Sequence, residues 1–553
     1  MQKYSELLRA LLEKRGITNE TEAELFLNPD YRRDLHDPFL MKDMEKACVR
    51  IFEVIKNKEK IVIYADYDCD GIPGAVILQD LFKKIDYTNY EVYIPQRNSE
   101  GYGLNLEAIK KFAKNKVRLL ITVDLGITAV AEVKQAKKDN IDVIITDHHL
   151  PQSVLPKAYA ILNPKVDEYP EKMLCGAGVA FKLVQAFIKK YGQFFKIKDG
   201  AEKWLLDMAG LATLSDMVPL LGENRAIASF GIKVLRKSPR PGLQKLLAKM
   251  NIDQKYLTED DIGFMVTPRL NAASRMDDPL RAYELLSTED ETRADILTHH
   301  LSQINDQRKN IVTVIMRDVH KKLDKREGLD KTNVIVIGSP EWRVGILGLV
   351  AAKILDQYHK PVFVWGKDEN DYIKGSCRSD GSVSVVELMA IASESFMDFG
   401  GHELAGGFTV HKEKIHFLEE ILCLSYTKVR RQKTVDEVVY DIKCDLSTVN
   451  IKNWREIERL APFGLANPKP VFMFEKLKIE NIKKFGKNGS GEHLEIIFSD
   501  KSENKTKAIS FFSNDDSFGV RLAPGISINL LATFDLSRFR GREELRLRIV
   551  DIL

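Results

Sequence analysis

From Lys60 onward the chain alternates short apolar runs with stretches whose apolar positions recur at helical spacing. IVIYA, YEVYI, VRLLITV and IDVIIT are rich in β-branched residues and predict strands. The segments from about Ala75 to Lys84 and from Leu106 to Lys114 predict the helices between them. This βαβ rhythm predicts a parallel sheet covered by helices. Before it, the first 50 residues read as short helices with an NPD turn near Asn28. After it, Gly176 to Ala282 reads as mostly helical, and 283–325, with few breakers and many charges, reads as one or two long helices joining domains. A second α/β pattern follows: NVIVIG, a helix from Gly345 to Tyr358, PVFVW, YIKGSCRS and a helix after Ser384. From about Val435 the pattern is β-rich with basic turns, which suits a small barrel such as an OB-fold. The expected class is α/β: a parallel-sheet domain (51–285), a connecting helix (286–325), a smaller α/β domain (326–428) and a C-terminal β-barrel (429–553), with a helical segment at 1–50.

The ends of the strand-like runs carry the candidate chemistry. Asp66, Asp68 and Asp70 lie in DYDCDG after IVIYA, Asp124 follows LLITV, Asp147, His148 and His149 follow DVIIT, and Asp216 lies in LSDMVPL. On an extended strand the alternating aspartates would share a face, and the glycine after them permits a sharp turn. Carboxylate clusters select hard divalent ions, and added imidazole favours Mn²⁺. Two such ions about 3.5–4 Å apart can activate water and stabilise the leaving oxygen of a phosphodiester. DYDCDG also resembles a calcium loop, but the position twelve places from Asp66 is Ile77 rather than the glutamate an EF-hand requires. Asp216 taken alone reads equally well as a helix cap.

Composition narrows the field. The 83 basic and 80 acidic side chains leave a net charge of +3, so any nucleic-acid surface must be a local basic patch. No apolar run is long enough to span a membrane, and MQKYSELLRALLEKRG lacks a signal-peptide core, so no membrane partner and a cytoplasmic location are expected. The six cysteines form no CxxC pair, which argues against a zinc site or a disulfide framework.

DYDCDG, VDLGIT, TDHH and LSDMVPL, in this order, resemble the four motifs of the DHH phosphoesterase superfamily. GYGL, LNPK, CGAGVAFKL, VPLLGENR, TPRLNAASRMDDP, EWRVGILGLVAAKI, GSCRS, GGHELAGG and APFGLANPKPVF extend the resemblance to the RecJ-type single-stranded-DNA exonucleases over nearly the whole chain. The resemblance implies a DHH domain and a DHHA1 domain joined by a long helix, with an OB-fold appended, degrading one DNA strand from 5′ to 3′. By motif position it implies Asp68, Asp70, Asp124, His148 and Asp216 as ligands of two Mn²⁺ or Mg²⁺ ions, with Asp124 as the bridge and Asp66 as a ligand or an orienting group. Asp147 would hold an imidazole, and His149 would face the scissile phosphate. Arg275, Ser376 and Arg378 would grip backbone phosphates, as would Gly401 and His402 within GGHELAGG; Arg97 and Tyr102 would contact DNA, the tyrosine by stacking. Basic residues of the C-terminal region, Lys483, Lys484, Lys487, Arg538, Arg540 and Arg542, interleave with Phe485 and Phe539 as a single-strand-binding groove would require.

The resemblance further implies single-stranded DNA as substrate, a helicase and a single-strand-binding protein as partners, action as a monomer, and a role in DNA repair and recombination. Three positions depart from the family pattern: Ile72-Pro73-Gly74 stands where a hydroxyl residue is common, Ser274 replaces a glycine, and Arg343 replaces a histidine. Two other readings fit the motifs: a DHH enzyme of short RNA or cyclic dinucleotides, and a DNA-binding relative with a dead site. The long β-rich tail opposes the first, and the intact acids oppose the second.

Overall fold

The computed structural model describes all residues except 98, 432–439, 487–492, 500–504, 512, 514–517 and 539–542. Two compact units emerge: one formed by residues 37–216 and 230–435, the other by residues 1–36, 217–229 and 436–553.

The larger unit holds two sheets. In the first, β1 (Lys60–Ala65), β2 (Tyr90–Tyr93), β3 (Val117–Val123), β4 (Asp142–Thr146) and β5 (Ala160–Leu162) lie in the order β2-β1-β3-β4-β5, all parallel. Their interior residues are apolar on both faces, as a sheet covered on both sides requires. The strand order reverses between β1 and β3, which is where open α/β sheets bind ligands beyond their carboxyl ends. The helix Gly71–Lys84 starts four residues earlier than its apolar pattern predicts, because Pro73 falls in its first turn and is tolerated there.

The charged stretch resolves into two helices, Leu280–Ser287 and Glu291–Leu323; Asp290 caps the second by accepting from the Arg293 amide. The 33-residue second helix leads to β6 (Ile335–Gly338), β7 (Val362–Lys367), β8 (Ile373–Arg378), β9 (Phe396–Gly401) and β10 (Ala405–Val410), ordered β6-β7-β8-β10-β9 in a mixed sheet. GGHELAGG is the hairpin between β9 and β10.

The smaller unit is a closed barrel of β12 (Phe472–Phe485), β13 (His493–Ser499), β14 (Lys505–Phe511), β15 (Ser527–Ser537) and β16 (Glu544–Ile552), with β11 (Ile442–Lys443) added at the edge. Pairing of β12 with both β13 and β15 closes the ring and removes free edges. Its core, including Phe472, Phe474, Leu494, Ile496 and Phe498, is continuous with Tyr4, Leu8, Leu11, Leu12 and Leu27 of the N-terminal helices. Arg225 fastens residues 217–229 to this unit, donating to the carbonyls of Phe26, Leu460 and Ala461. Among the predicted groove residues, Lys483 and Lys484 are exposed, whereas Arg538 pairs with Glu543; Lys487, Phe539, Arg540 and Arg542 lie outside the described residues. No described helix is long and apolar enough to cross a membrane, and all six cysteines are free thiols.

Candidate metal and phosphate site

The strands deliver the acids by ending. β1 stops at Ala65, so DYDCDG is a turn rather than a strand, and the shared face expected from alternation does not form. The turn folds around its own first and second acids. The Asp68 carboxylate accepts from the amides of Asp70 (2.8 Å) and Gly71 (3.2 Å). Gly71 serves a close approach: a Cβ there would stand 2.5 Å from the Asp66 carbonyl oxygen. Asp70, 1 % exposed, turns away from the strand and accepts from the amides of Gly176 (2.6 Å) and Ala177 (2.7 Å). Those amides open the helix Gly176–Tyr191, whose N-terminal dipole favours a carboxylate.

Asp124 follows β3 with φ +62°, a conformation uncommon outside glycine and stored where surrounding structure enforces it. After β4, Asp147 accepts from the amides of Ile127, His148 and His149 and faces His149 Nδ1 at 2.8 Å. Asp216 ends the helix Leu206–Ser215 as its C-cap.

These side chains converge. His148 Nε2 lies 3.1 Å from Asp124 Oδ1 and 3.7 Å from both Asp70 Oδ2 and Asp216 Oδ2. Three sets of ligand atoms fall within 4.8 Å among the described residues: Asp66, Asp68 and Asp124; Asp70, His148 and Asp216; and Asp124, His148 and His149. Asp124 and His148 each join two sets, and His149 joins one.

Electrostatics ask for cations. Burial, then its carboxylate neighbours, raises the Asp66 and Asp124 pKa values well above the usual carboxylate range and those of Asp70 and Asp216 to about 6 and about 9. Asp66 Oδ1 and Asp124 Oδ1 are sealed from solvent with no hydrogen-bond donor. Burial, aided by His149, holds His148 down to about 3, so it is a neutral imidazole with a lone pair to give. His149 behaves oppositely: burial opposes its charge most strongly, but the Asp147 hydrogen bond and the charges of Asp147, Asp70 and Asp68 together raise it. Orphaned buried carboxylate oxygens with a neutral imidazole fit a pair of hard divalent cations such as Mn²⁺ or Mg²⁺.

Cationic and aromatic groups flank the acids. The Tyr102 hydroxyl stands 3.4 Å from the Asp124 carbonyl oxygen and 3.3 Å from His149 Nε2. Arg97 lies over the Tyr67 ring at 5.0 Å. His402, from the β9–β10 hairpin, stacks toward His149 with ring centroids 6.2 Å apart. Gly401 occupies φ +140°, and Ser376 and Arg378 sit at the end of β8. Among the described residues Arg275 bonds only the Gly345 carbonyl, at 3.2 Å, and burial pushes its pKa down to about 9, with Arg97, Arg308 and Arg378 adding to the effect.

Two contributors lie in LNPK, a block the resemblance includes without giving its residues a role. Asn163 donates to the His149 carbonyl, and Lys165 to that of His148, so LNPK fixes the backbone of the histidine pair. Their signal was the polar pair following a strand-like run. The departures are absorbed locally: Ser274 satisfies its hydroxyl on the Asn271 carbonyl, and the exposed Arg343 reaches the Met276 sulfur at 3.9 Å.

The helix start at Gly176 yields a test. A Cβ there would lie 2.5 Å from the Asp124 Cβ and 2.8 Å from its Cα, so one methyl collides with Asp124. Gly176→Ala weakens Mn²⁺ binding at least about tenfold by calorimetry, in line with losses from disturbed ligand support; unchanged affinity would show that the contact yields without moving Asp124.

A DHH-type ligand cluster on a parallel sheet, a DHHA1-like mixed sheet joined by a long helix, and an OB-type barrel together define the class. Residues 60–213 match the DHH family N-terminal domain, 331–423 the DHHA1 domain and 440–551 the RecJ OB domain. The single-stranded-DNA-specific exonuclease RecJ of Bacillus subtilis is 34% identical over 99% of this chain and 67% of its own. That of Haemophilus influenzae is 30% identical over 98% of this chain and 95% of its own. The crystal structure of Thermus thermophilus RecJ in complex with Mn²⁺ superimposes with a TM-score of 0.82 at 24% identity, covering 99% of this chain and 76% of that one. The chain belongs to the RecJ family.

Proposed function

We propose that this chain is a metal-dependent exonuclease that removes 5′-mononucleotides from the 5′ end of single-stranded DNA. The observation that carries this reading is the membership of Asp124 in two ligand sets, with Arg97 and Arg275 close enough to influence Asp66 and Asp68. The relatives' names as single-stranded-DNA-specific exonucleases support the substrate, and the OB-type barrel supports a long strand over a dinucleotide. The 5′ to 3′ polarity rests on the motif resemblance.

When bound, two divalent cations supply an acidified water and neutralise charge on the leaving oxygen. The rest belongs to the chain. The amides of Gly176 and Ala177 fix Asp70, and the turn amides fix Asp68, so the ligand oxygens are held before substrate arrives. Asp147 occupies His149 Nδ1, so a phosphate oxygen would take Nε2 in place of the Tyr102 hydroxyl. Arg275 and Arg378 supply charge-assisted donors to non-bridging oxygens. Tyr102, 53 % exposed, offers a ring face to the terminal base without reading its identity. A bond forms between the water oxygen and phosphorus, the bond from phosphorus to the 3′ oxygen breaks, and that oxygen takes up a proton.

We further propose that the protein works as a monomer in the cytoplasm, in repair and recombination, on strands opened by a helicase and held by a single-strand-binding protein. Incubation with 5′- or 3′-labelled single-stranded DNA and RNA, with Mn²⁺, Mg²⁺ or EDTA, tests the central reading. Mononucleotide release from the 5′ end of DNA occurs only with metal; release from the 3′ end, or a preference for RNA, would overturn it.

A further inference from the structure

The proposed reaction leaves unused a set of polar groups along the connecting helix. Arg308 lies on Glu291–Leu323, and Arg269 on Thr267–Met276, the helix that also carries Arg275; these two helices pack together. Arg308 makes no hydrogen bond or ion pair among the described residues, and Arg269 bonds only the Met265 carbonyl, at 2.7 Å. The Nε atoms of both are sealed from solvent without an acceptor. Three residues before Arg308, Asn305 is fully buried with both amide atoms unpartnered, and Asn271 Oδ1 is unpartnered too. Such groups cost free energy when buried alone.

The arginines also act on one another. Burial first, then Arg269, lowers the Arg308 pKa, and Arg308 in turn helps lower that of Arg275. Asp68 opposes the effect at Arg275, and Asp306 at Arg269. Half-buried guanidiniums that crowd one another and bond no carboxylate present vacant donors in the fork geometry that suits a phosphate. Arg269 and Arg275 are six residues apart on one helix, about 9 Å along its axis. At a rise of about 3.4 Å per nucleotide in a stacked strand, that spans roughly two to three nucleotides.

We infer that Arg308, together with Arg269, contacts backbone phosphates of the single strand beyond the scissile bond, extending the arginine cluster of Arg275 along the connecting helix. The inference rests on the reading of the chain as an exonuclease on single-stranded DNA.

The test uses the full chain, with binding of a labelled long oligodeoxynucleotide measured by anisotropy across a salt series in an Asp124→Asn background, and turnover measured in the otherwise wild-type enzyme. Arg308→Gln weakens binding about tenfold and reduces the slope of log affinity against log salt by about 0.7, the value for one lost single-strand phosphate contact. KM for the long strand rises about tenfold with kcat changed less than about twofold, and the loss for a dinucleotide is several-fold smaller. Arg308→Lys keeps the charge and restores most of the slope. An unchanged slope in Arg308→Gln, or a fall in kcat at constant KM, overturns the inference. If Arg308→Gln does not fold, the same slope measured on Arg269→Gln decides it. Failure of the wild-type chain to degrade single-stranded DNA sinks the functional reading itself, whereas degradation with an unaltered Arg308→Gln slope sinks only this inference.

Discussion

Asp124→Asn reduces turnover by a factor on the order of 10³ to 10⁴ while leaving single-stranded-DNA binding within about threefold of wild type. The size of the loss follows from position. Asp124 supplies a ligand oxygen both to the Asp66–Asp68 set and to the His148–His149 set, so one substitution depletes both. Binding survives because Arg97, Arg275, Arg378 and the C-terminal barrel keep their side chains. Asparagine is the informative replacement, since residue 124 sits at φ +62° and asparagine tolerates that region better than alanine does. Asp124→Ala adds a backbone penalty of about 1 kcal/mol, so its effects mix ligand loss with local strain. Single-turnover cleavage of a labelled strand, paired with anisotropy, separates the two. Turnover that persists in Asp124→Asn would remove this residue from the shared position.

Arg240→Ala destabilises the larger unit by about 3–5 kcal/mol. Arg240 donates through Nε to Asp207 Oδ2 at 2.7 Å and through Nη2 to Asp80 Oδ2 at 2.6 Å. Asp207 is 2 % exposed and also accepts from the Ser238 hydroxyl and the Met208 amide. Truncating the arginine strands a buried carboxylate beside a second one, the costly way to break an ion pair. The denaturant midpoint measures the loss. Asp207→Asn in the same chain recovers part of it by removing the stranded charge; strictly additive losses would show that the pair is not coupled. Asp80 belongs to the helix that begins beside Asp70, and Asp207 to the helix that ends at Asp216. The same variant therefore also weakens Mn²⁺ binding, because the brace between two ligand-bearing helices is gone.

The parallel sheet and its acids were legible because β-branched runs and their terminal carboxylates lie within a few residues of one another. IVIYA and DYDCDG are neighbours in sequence and in space, so period-two patterning sufficed to place both. It misjudged the acids themselves: DYDCDG is a turn braced by the Asp68 carboxylate, and Asp70 is aimed by amides more than a hundred residues away, a contact no local pattern encodes. Asp216, a ligand by motif position that taken alone could be a helix cap, is the cap of its helix and also lies in a candidate ligand set. Lys165 and Arg308 went unseen for opposite reasons. Lys165 acts through a backbone carbonyl, which leaves no pairing signature, and Arg308 sits in a charge-rich helix whose pattern is that of a solvated face. The union of the N-terminal helices with the barrel joins residues over four hundred positions apart, and their amphipathic pattern shows only that they have a face to bury.

That union sets a timetable for making the protein. Tyr4, Leu8, Leu11 and Leu12 leave the ribosome more than four hundred residues before their partners, from Leu446 to Ile552. At about 5–20 residues per second, the early apolar face waits on the order of 20 to 110 seconds before the barrel exists to receive it. The sheet-bearing unit, by contrast, can close around its own strands while synthesis continues. These helices are thus made early and placed late: their apolar face stays uncovered until the barrel strands that receive it have been synthesised.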